Sequence, residues 1–332
     1  MIPREAKMNS NTLRNIIICT ATTLFFSHGL FAGNPVNNEQ TNHDKFDSTQ
    51  LNNYKWAHGK ASCETEYYEA FDTFSLTATT HIFRQSKCKT FEAPFLFLLQ
   101  GEDSALLIDT GAVEKERDFS LADMLSPYLS LENGGSTLVV AHSHSHSDHI
   151  NGDSQLKGRV GVTIVEPSKK ELLNYFNLIN WPTRNAHFNL GNRQIVVIPA
   201  PGHHPEAIAL YDTQTHILFT GDTLYPGQVY VRNWDDYRET IKRLADFTNE
   251  YKVIAILGSH IEMSKGDSGL YPIGTIYQPN EASLVLFPED LRDLAMRISE
   301  QKNAKEMHFD KFVITPMSFL QKTLSNIVKF FH

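Results

Sequence analysis

The stretch "VVAHSHSHSDHINGD", residues 139–153, places four histidines and an aspartate within eight positions. It continues a short apolar run, "STLVV", which predicts a buried strand. A loop leaving a strand can direct alternate residues to one point, so His144 and His146 form a natural pair. Asp148 and His149 are adjacent and lie just beyond, where they would face a second point. The spacing H-x-H-x-D-H therefore indicates two neighbouring metal ions.

Three further segments carry residues that can bind a metal. "PAPGHHPEAIALYD" contains His203, "LFTGDTLYPG" contains Asp222 and "AILGSHIEM" contains His260. Each of these residues lies in a tight turn directly after a predicted strand. We expect the three turns to join the first motif in one shared site.

The order of predicted elements favours an α/β layered fold. Strands and helices alternate along the chain, and each strand run ends in a loop carrying His or Asp, which places the site at strand ends. Neither a glycine-rich phosphate loop nor a G-x-S-x-G turn is present. We expect one domain over residues 66–280 and a helical extension over 281–332 packed on it. A membrane-surface helix is the alternative for the tail, but its helical half holds only Lys322 and Lys329 as basic residues.

Composition excludes one class of partner. The chain has 332 residues with a formal net charge of −8, 41% hydrophobic and 20% charged residues, which is typical of a globular protein. Nucleic-acid binding usually requires a basic stripe, so we expect no nucleic-acid partner.

The first residues predict an export signal. Basic residues precede the apolar run "IIICTATTLFF" (16–26), and small residues follow it, as in a secretory signal peptide over residues 1–32. An uncleaved membrane anchor is the alternative, although the run is shorter than the roughly 20 apolar residues of a spanning helix. We therefore expect a periplasmic or secreted protein with a polar, solvated leader over residues 33–65.

Cysteine usage agrees with export. Removal of residues 1–32 takes out Cys19 and leaves Cys63 and Cys88. Two cysteines in an exported chain indicate one disulfide. Two unpaired thiols are the alternative.

These motifs resemble the metallo-β-lactamase superfamily over roughly residues 75–265, and "ALLIDTGA" with Asp109 resembles the strand and turn before its first helix. The resemblance implies a four-layer αβ/βα sandwich with a two-metal site at one edge between two sheets. It also implies seven metal ligands: His144, His146 and His203 on one metal, Asp148, His149 and His260 on the second, and Asp222 between them.

The resemblance implies a hydrolase with two Zn²⁺ per chain; iron and manganese are alternative metals. A metal-bridging hydroxide would attack the carbonyl of a small-molecule ester, lactone, thioester or β-lactam-like amide. Asp148 and Asp222 are the expected catalytic residues, orienting the hydroxide or moving a proton. The alternatives are a mono-iron sulfur dioxygenase of the same fold and an inactive periplasmic metal-binding module. No stable membrane partner is expected, and the oligomeric state is left open.

Two observations on the substrate disagree. The aspartate at position 222 resembles the glyoxalase II-type thioesterase and lactonase branches, because β-lactamases of the superfamily usually carry cysteine or serine there. Export favours a β-lactamase-like role instead. The ligand set has more weight because it takes part in the chemistry directly.

Other residues near the motifs receive secondary roles. His142 falls at the strand end, where a structural role is expected, and Asp109 is expected to accept a hydrogen bond from a ligand. His204 faces either the substrate cleft or solvent, and Tyr225 either donates to an oxyanion or packs in the core. The segment 263–287 predicts a long loop that helps to wall the cleft.

Overall fold

The computed structural model describes residues 48–131, 135–266 and 269–328, with side chains as far as Thr323. The predicted signal peptide and the first part of the predicted leader lie outside these residues. Among the described residues, no helix has both the length and the apolar character needed to cross a membrane.

Two six-stranded sheets form the centre of the structure. The first contains, in spatial order, β1 (Phe71–Thr77), β2 (Thr80–Gln85), β3 (Phe95–Gln100), β4 (Ala105–Ile108), β5 (Leu138–Ala141) and β6 (Val162–Val165). The second contains β7 (Ala186–Asn189), β8 (Gln194–Pro199), β9 (Ile208–Asp212), β10 (Ile217–Gly221), β12 (Ala255–Gly258) and β13 (Val285–Leu286), in the spatial order β13-β12-β10-β9-β8-β7.

The remaining elements surround these sheets. A small sheet joins β11 (Gln228–Val231), β15 (Val313–Pro316) and β14 (Met307–His308) in that order. The helices are α1 (Ser48–Asn53), α2 (Leu121–Leu125), α3 (Ser147–Ile150), α4 (Asp153–Leu156), α5 (Lys169–Tyr175), α6 (Trp234–Glu250), α7 (Pro288–Ser299) and α8 (Phe319–Val328).

Strand β3 shows how the first sheet is covered on both faces. Successive side chains of a strand point to opposite faces, and the first five residues of β3 are all buried. Phe95, Phe97 and Leu99 belong to the core between the two large sheets, whereas Leu96 and Leu98 pack with apolar residues of α2 and α4. Burying such a side chain fully is worth about 1.5–3 kcal/mol, so both faces contribute to stability.

The second sheet is covered in the same way. Val197 of β8 faces the first sheet, and Val196 packs against α6, α7 and the small sheet. Helix α6 presents Tyr237, Ile241 and Leu244 at helical spacing to this layer. The layers therefore run helix, sheet, sheet, helix, and the predicted four-layer αβ/βα sandwich is confirmed.

Strand direction brings the functional loops to one edge. β4 and β5 are parallel, so their carboxyl ends, and the loops that follow them, lie at the same edge of the first sheet. β10 and β12 are parallel, and β8 has the same direction because β9 is antiparallel to both of its neighbours. The turns that carry the predicted ligands all follow such carboxyl ends.

Two segments differ from the sequence predictions. The described part of the polar leader is not solvated throughout, because Leu51 and Trp56 are buried in the core between the sheets. The segment 281–332 is not only helical: β13 extends the second sheet, and β15 pairs with β11. The leader is polar in composition, so its buried residues could not be predicted from the local sequence. The strands in the last segment are too short to give a clear pattern.

A disulfide connects the leader to the first sheet, and a buried ion pair connects the last segment to the same sheet. The predicted disulfide between Cys63 and Cys88 is confirmed, with a Cα–Cα distance of 5.4 Å. Arg84 of β2 donates two hydrogen bonds to the carboxylate of Glu281, at 2.6 and 2.7 Å, and both side chains are buried. The loop before Glu281 lies against the leader, where the Gln278 backbone N–H donates to the His58 carbonyl at 2.9 Å.

Candidate metal centre

All seven predicted metal ligands converge in two adjoining clusters. In each cluster the candidate ligand atoms lie within 4.8 Å of one another. The first cluster contains His144, His146, His203 and Asp222, and the second contains Asp148, His149, Asp222 and His260. Asp222 belongs to both, so one carboxylate lies between the two candidate metal positions.

The first cluster is built around three imidazole nitrogens. His146 Nδ1 lies 2.8 Å from His144 Nε2 and 3.1 Å from His203 Nε2. The Asp222 Oδ2 atom lies 3.8 Å from His144 Nε2 and 3.6 Å from His203 Nε2. His144 and His146 follow β5 of the first sheet and His203 follows β8 of the second, so both sheets are needed to form this cluster.

The second cluster combines two histidines with two carboxylates. Asp148 Oδ2 lies 3.1 Å from His260 Nε2 and 3.2 Å from His149 Nε2. Asp222 reaches the same two nitrogens, with Oδ1 at 3.3 Å from His260 and Oδ2 at 3.5 Å from His149. Helix α3 positions Asp148 and His149, and the turns after β10 and β12 supply the other two residues.

A glycine allows the turns to approach this closely. Gly221, immediately before Asp222, has φ +52°, a conformation that disfavours most side chains. A Cβ at this position would lie 2.4 Å from Ser143 Cβ. Glycine is therefore needed where the Asp222 turn meets the loop that carries His144.

Hydrogen bonds on the opposite ring nitrogen orient three of the candidate ligands. The Nδ1–H of His203 donates to the Tyr230 carbonyl at 2.7 Å, and that of His260 donates to the Glu92 carbonyl at 3.1 Å. His149 Nδ1 donates to Asp109 Oδ2 at 2.8 Å. Each bond directs Nε2 into the centre, which is the usual arrangement for a metal-ligating histidine.

Asp109 is buried at the base of the centre. Besides His149, it accepts from the Ser143 backbone N–H at 2.7 Å and from the Ser143 hydroxyl at 2.9 Å. Its φ of +63° places it in the left-handed region that aspartate tolerates better than most residues. The expectation that Asp109 accepts a hydrogen bond from a ligand, and is not itself a ligand, agrees with these contacts.

The donor set fits divalent cations. His146 Nδ1 lies 2.8 Å from His144 Nε2 and 3.1 Å from His203 Nε2, so the lone pairs of three neutral imidazoles could bind one shared cation. His149 Nε2 and Asp222 Oδ1 are buried and make no hydrogen bond to any residue that the structure describes. Buried polar atoms are rarely left unpaired, and both of these atoms face the point that a cation would occupy.

The first cluster is uncharged apart from its aspartate. Burial lowers the pKa of His146 to about 3, with a further contribution from the His203 ring. Burial and the neighbouring histidines hold the pKa of His144 well below its usual range, and burial also lowers the pKa of His203. Neutral imidazole is the form that binds a metal.

Charges alternate in the second cluster. Burial opposes ionisation, but the adjacent His149 holds the pKa of Asp148 well below its usual range. Burial lowers the pKa of His260, but Asp222 and Asp148 outweigh it and raise that pKa to about 9. A cation entering this cluster would therefore displace protons.

The residues given secondary roles from the sequence all lie close to the centre. His142 is fully buried, outside both clusters, with Nδ1 at 3.1 Å from the His149 carbonyl, as expected of a structural residue. Tyr225 is buried, and its phenol donates to the Gln228 carbonyl at 2.6 Å, which supports packing over the oxyanion role. His204 is 1% exposed, which excludes the solvent-facing turn, one of the two positions that the sequence left open for it.

Sequence reasoning missed the carbonyls of Tyr230 and Glu92 that orient His203 and His260. Any residue type supplies a carbonyl, so no pattern could identify them. The Glu92 carbonyl lies in the loop between β2 and β3, which also contains Cys88, so the disulfide restrains the loop that orients His260.

Comparison with known proteins places this centre in a family. The model of the metallo-β-lactamase superfamily matches residues 90–260, a span that contains every predicted ligand. Hydroxyacylglutathione hydrolases from Brucella ovis and Brucella abortus are each 28% identical over 130 residues, which are 39% of this chain and 50% of the relative. The chain thus matches about half the length of these relatives.

Solved structures of the same family are also similar. A metallo-β-lactamase from Pontibacter korlensis has 19% identity and a TM-score of 0.42, covering 70% of this chain and 100% of its own. One from Hirschia baltica has 15% identity and a TM-score of 0.43, covering 58% of this chain and 91% of its own. Since the family match covers just over half of its 332 residues, this chain belongs to the metallo-β-lactamase superfamily.

Proposed function

We propose that the protein is a hydrolase with two zinc ions, acting on the carbonyl of a small ester, lactone, thioester or β-lactam-like amide. The observation that carries the proposal is the pair of clusters joined by Asp222, with candidate ligand atoms within 4.8 Å in each. Nitrogen and carboxylate ligands are those that zinc binds in catalytic sites. His144, His146 and His203 would hold one ion, and Asp148, His149 and His260 the other.

Among these substrates we favour a thioester, ester or lactone. The shared ligand at position 222 is aspartate, as expected for the thioesterase and lactonase branches. The relatives named hydroxyacylglutathione hydrolase support the same choice. Their match covers half of their length, so the acyl compound itself is left open.

Two divalent ions bound here would lower the pKa of a bound water and polarise a substrate carbonyl. The protein's own residues orient the imidazole rings of the candidate ligands. Asp109 and the Tyr230 carbonyl hold His149 and His203 in fixed tautomers, so that no ring has to reorganise. Asp148 and Asp222 are ionised, and their carboxylates are the groups that could orient water or accept its proton.

Metal analysis combined with a substrate screen tests this proposal. Protein purified without added metal should contain two zinc ions per chain and hydrolyse at least one of a set of thioester, ester, lactone and β-lactam probes. Asp148→Ala should lose most of that hydrolysis. A single iron per chain would favour the sulfur dioxygenase alternative, and equal inactivity of wild type and variant would favour the inactive metal-binding module.

We also propose that the protein is exported into an oxidising compartment, the periplasm or the exterior. The disulfide between Cys63 and Cys88 supports this, because such bonds persist mainly in oxidising compartments. Cell fractionation with amino-terminal sequencing of the mature chain tests it. A new terminus near residue 33 in the periplasmic or secreted fraction is expected, and an intact terminus in the cytoplasm would contradict it.

A further inference from the structure

A buried histidine beside the first cluster is not among its candidate ligands. His204 directly follows His203, yet its ring turns toward the loop after β5. Its Nε2 lies 3.1 Å from Ser145 Oγ, and its Nδ1 lies 3.2 Å from the Glu206 backbone nitrogen. The ring centre is 5.3 Å from that of His146 and 5.7 Å from that of His144. It is therefore packed against two of the three histidines of the first cluster.

The hydrogen bonds fix the tautomer of this ring. A backbone N–H can only donate, so His204 Nδ1 must accept from Glu206 with its lone pair. The ring proton then lies on Nε2, which donates to Ser145 Oγ. The direction of the bond is thus set by the local backbone, and Ser145 is the acceptor.

Ser145 occupies a critical position in the metal motif, between His144 and His146. It follows β5 of the first sheet, whereas His204 follows β8 of the second. One backbone bond joins the same two loops, from Ile208 N–H to the Ser143 carbonyl at 2.8 Å. The His204–Ser145 bond adds a side-chain restraint nearer to the cluster.

We propose that His204 is a positioning residue, which acts through Ser145 to hold the His144–His146 turn in register with His203. The inference rests on the proposed function in one respect, that the first cluster binds a metal. A ligand set drawn from two sheets loses affinity if one loop shifts, because imidazole ligation requires a defined ring direction. The hydrogen bond between His204 and Ser145 directly connects a side chain of one loop with a side chain of the other.

Two substitutions separate the hydrogen bond of His204 with Glu206 from its hydrogen bond with Ser145. In His204→Asn the amide oxygen can replace Nδ1 as acceptor for Glu206, but the side chain is too short to reach Ser145. In His204→Gln the amide nitrogen can replace Nε2 as donor to Ser145. His187→Asn, on an exposed position of β7, is the control for a histidine-to-asparagine change elsewhere.

The experiment titrates Zn²⁺ into metal-free protein against a chromophoric chelator, and records the visible spectrum of the Co²⁺-loaded protein. We expect His204→Asn and Ser145→Ala each to weaken one of the two metal sites by about tenfold and to alter the Co²⁺ spectrum. His204→Gln should restore most of the affinity, a rescue that loss of packing alone would not produce. The double variant Ser145→Ala/His204→Asn should lose no more than either single variant.

The outcomes distinguish the inference from the proposed function. If wild type binds two ions and both single variants bind them equally well, or if their losses add in the double variant, the inference is wrong. A wild type that binds metal without hydrolysing any probe contradicts only the proposed function. A wild type that binds neither Zn²⁺ nor Co²⁺ contradicts both.

Discussion

Replacing Asp109 by asparagine should weaken metal binding at the second cluster while leaving the backbone in place. Asparagine adopts the left-handed conformation about as readily as aspartate, so the φ of +63° can be kept. The side chain changes from two acceptor oxygens to one acceptor and one donor. If the amide oxygen stays opposite the Ser143 backbone N–H, the NH₂ group faces His149 Nδ1, which lies 2.8 Å from Asp109 Oδ2.

The His149 ring then has to change tautomer. With Nδ1 facing a donor, the single proton of the neutral ring moves to Nε2, which points toward Asp148 and Asp222. A protonated Nε2 cannot bind a metal. The lost charge-assisted hydrogen bond is worth about 1.5–3 kcal/mol, so we expect a loss of roughly 10- to 100-fold in affinity at one site.

Competition with a chromophoric chelator measures this loss, with the first cluster as internal reference. Asp72→Asn is the matched control, because Asp72 also accepts two hydrogen bonds, from Tyr54 and Ala57, away from the metal centre. Retention of both metal ions at wild-type affinity in Asp109→Asn would refute the tautomer argument. So would an equal loss in the Asp72 variant.

Three further predictions concern stability and pH. Glu281→Gln leaves the buried Arg84 without its counter-charge and should lower the free energy of unfolding in urea by about 3–5 kcal/mol. Replacing both Cys63 and Cys88 by serine removes a disulfide between residues 25 positions apart in sequence. This change should lower the free energy of unfolding by about 3 kcal/mol in the same assay. Buried carboxylates raise the pKa of His260 from 6.5 to about 9, so the stability that its protonation gives the metal-free protein should decline as the pH rises from 6.5 to 9. At pH 7, calorimetry in buffers of different ionisation enthalpy should detect proton release when Zn²⁺ binds.

Each of these three predictions has a control or a result that would contradict it. Removing the exposed Lys242–Asp246 pair should cause no measurable change, and a loss of under about 1 kcal/mol in Glu281→Gln would contradict the argument from burial. A reducing agent should destabilise wild type but not the double serine variant. Zinc binding without proton release would contradict the protonation assigned to His260.

The convergence of the candidate ligands was predictable because they follow strands whose carboxyl ends meet at one edge. The parallel pairing of β4 with β5 and of β10 with β12 brings the loops after these strands together, although the strands are separated in sequence. The H-x-H-x-D-H register also excluded His142, which the structure places against the His149 carbonyl. Local spacing was sufficient there because the first four ligands lie within a few residues of one another.

Contacts between distant segments were not predictable in the same way. Arg84 and Glu281 are 197 positions apart, and neither residue type indicates its partner. Trp56 is buried although its surroundings in sequence are polar, so average composition concealed it. The side of the metal centre to which His204 turns depends on a hydrogen bond to Ser145, 59 positions away.

The most direct test is metal content and its link to hydrolysis. The proposed function predicts two zinc ions per chain in protein purified without added metal, loss of acyl-compound hydrolysis when a chelator removes them, and recovery when Zn²⁺ is restored. One iron per chain, or hydrolysis that persists in fully metal-free protein, would contradict it.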